Sequence, residues 1–393
     1  MLIKGDFKGN GINVSKANRL QELKHFYLEP DNFYTLKHKF KPESLDFVYS
    51  EDINDTKFFK ILLKEWFYSI KTKGKIIVQI KDNKILNFEQ LIKTINLLLG
   101  GKGKIVLQDK KEGVIVYEKT SPALERGDSI DKWSFGIITD GSKIDVLEQQ
   151  IQSIINLKIP CFEIIVCGPY SPSKKYKKYV KVIPFEYKIA WITRKKNLIC
   201  QKAKYENMVI THNRFNFDKN WFKGIKKYGN YFEVLNCKIL SQSGKRCGDW
   251  STYGHTIRNR WINYIGQLDY RDWDENLLIN GSFYILKKSV WRQCPWDESL
   301  VWGQKEDDAL SCSFHAHGVV PRFNIYSIVY TFPEHYGYLS NHNYHFNKYR
   351  LGKLKFYWSA KYFARRIERI MRKYLKLGLV RESTTGYGEW KPK

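Results

Sequence analysis

Residues 133–157 read WSFGIITDGSKIDVLEQQIQSIINL, and their pattern decides the fold class. An apolar run ends at a polar turn, Thr139, Asp140 and Gly141. From residue 145 the apolar residues recur at helical spacing. The first pattern reads as a buried strand, the second as an amphipathic helix. Outward from this pair, CFEIIVCGPY (161–170) and KYVKVIPFE (178–186) read as further buried strands. TRKKNLICQKAKYENMVITHNRF (193–215) reads as helix and then strand. Strand–helix–strand units of this length imply a parallel α/β sheet. Ligands of such sheets gather at the carboxyl ends of the strands.

Upstream, residues 1–120 also alternate strand and helix. SLDFVYS (44–50) is a short strand, 56–71 has helical apolar spacing, and 72–81 is a turn leading into a buried strand. FEQLIKTINLLLG (88–100) is a helix stopped by glycine, and 103–119 is a hairpin turning near Glu112 and Gly113. Residues 121–132 are a polar linker, 133–340 a second α/β domain, and 341–393 a basic, aromatic extension of helical spacing.

The 393 residues suit two or three domains, and 43% hydrophobic content with 12 Trp supports packed cores rather than disorder. No apolar stretch reaches transmembrane length, and the N-terminus lacks the apolar core of a signal peptide. Seven scattered cysteines without a CxxC pair suggest neither a zinc site nor a disulfide framework, so a reducing cytoplasm is the simplest setting. The formal charge of +27 reflects either solvated surface lysines or a polyanionic partner: nucleic acid, anionic lipid or a phosphorylated substrate.

Against that charge, VWGQKEDDALSCSFHAHG (301–318) sets Glu306, Asp307 and Asp308 side by side after Trp302 and Gly303. Leu310, Phe314 and His317 recur at helical spacing, with Gly318 as the stop, so the acids fall in a first helical turn. Complementing the helix dipole accounts for one or two of them, at about 0.3–1 kcal/mol each. A fixed carboxylate in a partly enclosed site is also what a general base requires. Both readings stand at this level.

In their order, these segments resemble the nucleotide-sugar glycosyltransferases of the GT-A fold, in particular the family-2-like group. The resemblance covers about residues 133–320: the strand and helix at 135–157, the strand at 162–168, RKKN at 194–197, the glycine-led strand NGSFYILKKSVW at 280–291, and the Trp302, Gly303, Glu306, Asp307 segment. It implies a Rossmann-like, mostly parallel sheet and inverting transfer of a sugar from a nucleotide-sugar donor, such as a UDP-sugar. It places Thr139, Asp140, Gly141 and Asn213 at the nucleotide, Arg194 and Asn197 near the diphosphate, and Gly281 and Trp302 beside the sugars. Asp307 becomes the general base, with Glu306 as neighbour or substitute. The family's acidic metal motif is replaced here by His212, Asn213 and Arg214, with Asp218 further on. His212 and His335 are the candidate ligands for a divalent cation, Mn or Mg; alternatively, Arg214 and nearby lysines stabilise the diphosphate without metal.

Residues 36–80 resemble the later half of a class I methyltransferase, without most of the cofactor-binding half. A degenerate docking or scaffold domain is expected there. The basic extension reads as a helix packed over the catalytic domain, as an interfacial helix on anionic lipid, or as a grip on nucleic-acid phosphates. The leading function is therefore a cytoplasmic glycosyltransferase acting on a glycan or lipid-linked acceptor, peripheral to a membrane in the second of those readings and in the host cytoplasm for a viral chain. The alternatives are a viral or phage DNA-base glycosyltransferase, with DNA as acceptor, and a non-catalytic nucleotide-sugar binding protein.

Overall fold

The computed structural model describes residues 8–28, 40–186, 190–253 and 265–332. The basic extension and His335 lie outside the described residues. Through residue 119 the elements are β1 (Gly11–Ser15), β2 (Lys24–Tyr27), β3 (Leu45–Ser50), α1 (Phe59–Ser69), β4 (Ile70–Gln79), α2 (Phe88–Leu99), β5 (Gly103–Asp109) and β6 (Val114–Lys119). They form one sheet in the order β2-β1-β3-β4-β6-β5. Its first four strands are parallel, and β6 runs antiparallel to both β4 and β5. β3 and β6 are buried along nearly their whole length, which is why their apolar runs are continuous rather than alternating. α2 starts at a capping box in which the Asn87 side chain accepts from Gln90 N and the Gln90 side chain accepts from Asn87 N.

The second part contains β7 (Lys132–Ile138), α3 (Ile144–Asn156), β8 (Cys161–Cys167), β9 (Val180–Ile183), α4 (Ile192–Lys202), β10 (Asn207–His212), β11 (Phe215–Phe217), α5 (Trp221–Tyr228) and β12 (Val234–Ser241). It continues with β13 (Ser251–Tyr253), β14 (Ile265–Gln267), β15 (Leu277–Leu278), β16 (Phe283–Lys287), α6 (Lys288–Gln293), α7 (Glu306–Ala316) and β17 (Arg322–Thr331). Eight strands form a sheet in the order β11-β17-β12-β16-β10-β7-β8-β9, and β14-β13-β15 form a small one. The stretch β10-β7-β8-β9 is wholly parallel, a Rossmann-like half, while β16 runs antiparallel to both β10 and β12. The α/β class and the mostly parallel sheet are as the sequence implies.

The apolar core does not break at the polar stretch between β6 and β7. Trp66, Leu91 and Ile95 from α1 and α2 share one buried cluster with Trp250, Trp273, Leu277 and Val320. Beside it Arg322 and Glu65 form a buried ion pair, and Arg322 Nη2 also donates to Ile61 O at 3.3 Å. Lys64 reaches Glu233 at 2.7 Å. The stretch itself is pinned at Asp128, whose carboxylate accepts from Lys287 Nζ at 2.6 Å and from Asn230 Nδ2 at 2.9 Å. All seven cysteines are free thiols. Among the described residues no helix is long and apolar enough to cross a membrane.

Candidate functional site

From β7 the chain runs outward to β8 and β9, then returns to β10 on the other side of β7. The carboxyl ends of β7 and β10 therefore flank a switch point, where ligands of open α/β sheets bind. Thr139 and Asp140 follow β7; Asn213 and Arg214 follow His212 at the end of β10. Asn213 Nδ2 bridges the two ends, donating to Thr139 Oγ1 at 3.2 Å and to Ser142 O at 3.1 Å. One oxygen of Asp140 accepts from Ser142 N at 2.9 Å and Ser142 Oγ at 2.6 Å, which folds the loop back on itself.

α4 approaches these ends and contributes two lysines. Lys195 Nζ donates to Thr139 O at 2.6 Å. Lys196 Nζ donates to Gly281 O at 2.7 Å and lies 3.7 Å from Glu306 Oε1. Burial pulls the Lys196 ammonium down to about 8, against the opposing pull of Glu306 and Asp307. Gly281, in the turn before β16, lies directly against Asp307: a Cβ built on it falls 2.9 Å from Asp307 Oδ2. The turn also carries Ser282, whose carbonyl accepts from His212 N at 3.0 Å and so locks it to the end of β10.

α7 begins at Lys305, which enters the helix with a φ of +63° and no side-chain cap. Glu306, Asp307 and Asp308 occupy the first turn. Burial raises the Glu306 carboxyl, with Lys196 opposing. Burial also raises Asp307, helped by the charge of Asp308 and opposed by Lys196. Glu306 is buried and Asp307 only partly so.

The RKKN segment divides its roles differently from the expectation. Arg194 pairs with Glu298 at 2.7 Å. The Asn197 amide donates to Trp296 O and Glu298 Oε1, and accepts from Trp291 Nε1 and Trp296 N. Those bonds exhaust a buried amide, so Asn197 and Arg194 hold the 296–302 loop. Trp191 Nε1 to Glu298 O at 2.7 Å and Thr193 Oγ1 to Leu300 O at 2.6 Å add to that tether. Trp302, at the end of the loop, is 43% exposed. Lys195 and Lys196 are the α4 side chains at the strand ends. A signal for Lys196 exists in the sequence: it sits four residues from both Ile192 and Cys200, on the apolar stripe of α4.

His212 is buried, and its Nε2 has no hydrogen-bond partner among the described residues. Burial, then the charges of Arg214, Lys196 and Lys195, hold its imidazole well below the usual histidine range. A divalent cation there would face three positive neighbours. Among the described residues no group of three or more His, Cys, Asp or Glu side chains is placed to hold a metal ion. His335, the second candidate ligand, lies outside the described residues.

No family model and no curated protein matches the chain. Several solved structures are similar in part. A fragment of S. aureus TarS aligns at 15% identity over 51% of this chain and 60% of that one, with a TM-score of 0.35. The same fragment in complex with UDP-GlcNAc aligns at 14% over 52% and 60%, with a TM-score of 0.37. GalNAc-T7 with UDP, GalNAc and Mn²⁺ aligns at 14% over 63% and 53%, with a TM-score of 0.39. The chain thus spans less than two thirds of each of these structures.

Proposed function

We propose that the chain is a GT-A glycosyltransferase, moving a sugar from a nucleotide-sugar donor to a hydroxyl of a glycan or lipid-linked acceptor with inversion. The observation that carries this reading is the placement of Asp307: a partly buried carboxylate in the first turn of α7, seated against Gly281 beside the switch point. Its raised proton affinity suits a base that must accept a proton near neutral pH. The acceptor oxygen attacks the anomeric carbon and its proton passes to Asp307. The bond from that carbon to the diphosphate oxygen breaks, and the electron pair leaves with the diphosphate. Glu306, buried beside Lys196, acts as a positioning residue. The exposed Trp302 indole offers a flat face to a sugar ring.

The N-terminal sheet supports a methyltransferase-like reading of residues 1–120, with a reversed strand inserted between β4 and β5. Between the parallel strands β1 and β2 the chain has no helix. That absence supports the reading of residues 1–120 as a degenerate scaffold domain.

Incubation of the purified chain with UDP-, GDP- and dTDP-sugars should release one nucleotide. Asp307→Asn is expected to slow transfer by about 10²–10⁴-fold with the fold intact by circular dichroism. Turnover near the wild-type rate would remove Asp307 from this role.

A further inference from the structure

Resting on the glycosyl-transfer reading, we propose that Lys196 is a positioning residue: it acts through Gly281 and Glu306 to hold the Asp307 carboxylate in place and charged, and it does not touch the nucleotide. Lysine is almost never fully buried unless it is paired, yet the Lys196 side chain is 1% exposed. Its Nζ donates to Gly281 O at 2.7 Å and lies 3.7 Å from Glu306 Oε1. The rings of Tyr284 and Trp296 flank it, with centroids 5.0 and 5.6 Å from Nζ. Tyr284 belongs to β16, Trp296 to the loop after α6, and Glu306 to the first turn of α7. One buried cation on α4 therefore joins the two segments that meet at Asp307, the turn before β16 and the start of α7.

The Gly281 backbone is the surface on which Asp307 rests: a Cβ there would fall 2.9 Å from Asp307 Oδ2 and 3.1 Å from Asp307 Cβ. The bond that fixes the Gly281 carbonyl fixes that surface. Glu306 directly precedes Asp307, so its pairing with Lys196 sets how the first turn of α7 is rotated. A neutral donor could supply the hydrogen bond; a buried charge adds a field that the interior screens weakly. Asp307 faces Asp308 and Glu306 from its own helix, Lys196 from α4 and Tyr284 from β16. Lys305, the cation at the start of α7, pairs with Asp308 at 3.3 Å. Lys196 in turn faces Glu306, Asp307, the Cys200 thiol of its own helix and the His212 imidazole. Glu306 and Asp307 resist the burial that draws the Lys196 ammonium down, and Lys196 resists the burial that raises both carboxyls. The cation and the carboxylates thus sustain one another's charge.

The test uses Lys196→Gln and Lys196→Met in the full chain, with whichever UDP-, GDP- or dTDP-sugar releases nucleotide from the wild type. Gln keeps an N–H donor without the charge, and Met keeps neither. The acid limb of kcat/KM should move up by about one pH unit in both variants, because the cation that favours ionised Asp307 is gone. Below the limb this is a loss of about tenfold, regained at higher pH in Lys196→Gln. In Lys196→Met, kcat should stay low by about tenfold or more on the plateau too, because Gly281 is untethered. Calorimetric affinity for the matching nucleoside diphosphate should stay within about twofold of wild type. A folded variant with an unmoved limb would make Lys196 structural only, and diphosphate affinity weakened by about tenfold would make it a nucleotide ligand. Either result, or failure of both variants to fold by circular dichroism, would overturn the proposal and leave the glycosyl-transfer reading standing. No nucleotide release from any donor by the wild type would overturn both.

Discussion

Asp307 and Asp308 are adjacent in the first turn of α7, and the Asp308 charge makes Asp307 harder to ionise. Asp307 is raised by burial and by Asp308, while the Lys196 charge and the backbone N–H groups of Asp308 and Asp307 oppose both. Transfer should therefore rise with pH along an acid limb that lies above the usual aspartate range. Asp308→Asn removes a charge that raises Asp307, so the limb should move to lower pH, by up to about one unit. A kcat/KM profile measures this, and an unmoved limb would dissociate it from Asp307. Stability runs the other way. The folded chain binds protons at Asp307 more readily than the unfolded chain, so this group's contribution is lost as pH rises from 3.8 through the raised value. Asp307→Asn should accordingly melt no lower than wild type at neutral pH while losing activity.

At the scale of elements, α7 is fixed at both ends. Its amino end meets the turn before β16, where Gly281 leaves room for the Asp307 carboxylate. Its carboxyl end stops at Gly318, whose φ is +68° and where an added Cβ would fall 2.4 Å from Leu97 O of α2. His315, in the last turn, lies 3.4 Å from Lys60 of α1. The helix that carries the base is thus wedged between the switch point and the N-terminal helices. Gly281→Ala puts a methyl group where Asp307 now lies. A displacement of that size should lower kcat by about 10²-fold, with diphosphate affinity retained. Steady-state kinetics with nucleotide titration separates the two, and an unchanged kcat would show that the Asp307 position is not critical.

At the scale of the whole molecule, the N-terminal sheet and the larger sheet are bound by Arg322 and Glu65. Both side chains are buried, at 3% and 1% exposure, so each depends on the other for compensation. Arg322→Met leaves the Glu65 carboxylate without its partner and should cost about 3–5 kcal/mol. Adding Glu65→Leu removes the stranded charge and should recover part of that loss. Urea unfolding of the single and double variants reads the coupling; additive effects would mean that the pair does not hold the two parts together.

Local pattern sufficed for β7, α3, β8, α2, the β5–β6 hairpin and α7, because burial on one face of a helix or both faces of a strand is written in the spacing of apolar residues along a short stretch. It also placed the acids of α7 in a first turn. The division of labour in RKKN was not legible in that way. Arg194 and Lys195 are adjacent in sequence, yet one reaches Glu298 and the other Thr139. Adjacent helix residues point about 100° apart. Which direction faces the strand ends depends on how α4 packs on the sheet. The small sheet β14-β13-β15 and the parallel pairing of β12 with β17 likewise lack a local signature. The polar stretch 121–132 reads as a boundary, yet Glu65 and Arg322, 257 residues apart, meet in a shared core across it. Periodicity records which side of an element avoids water. Only packing decides what covers that side, because the covering residues come from distant parts of the chain.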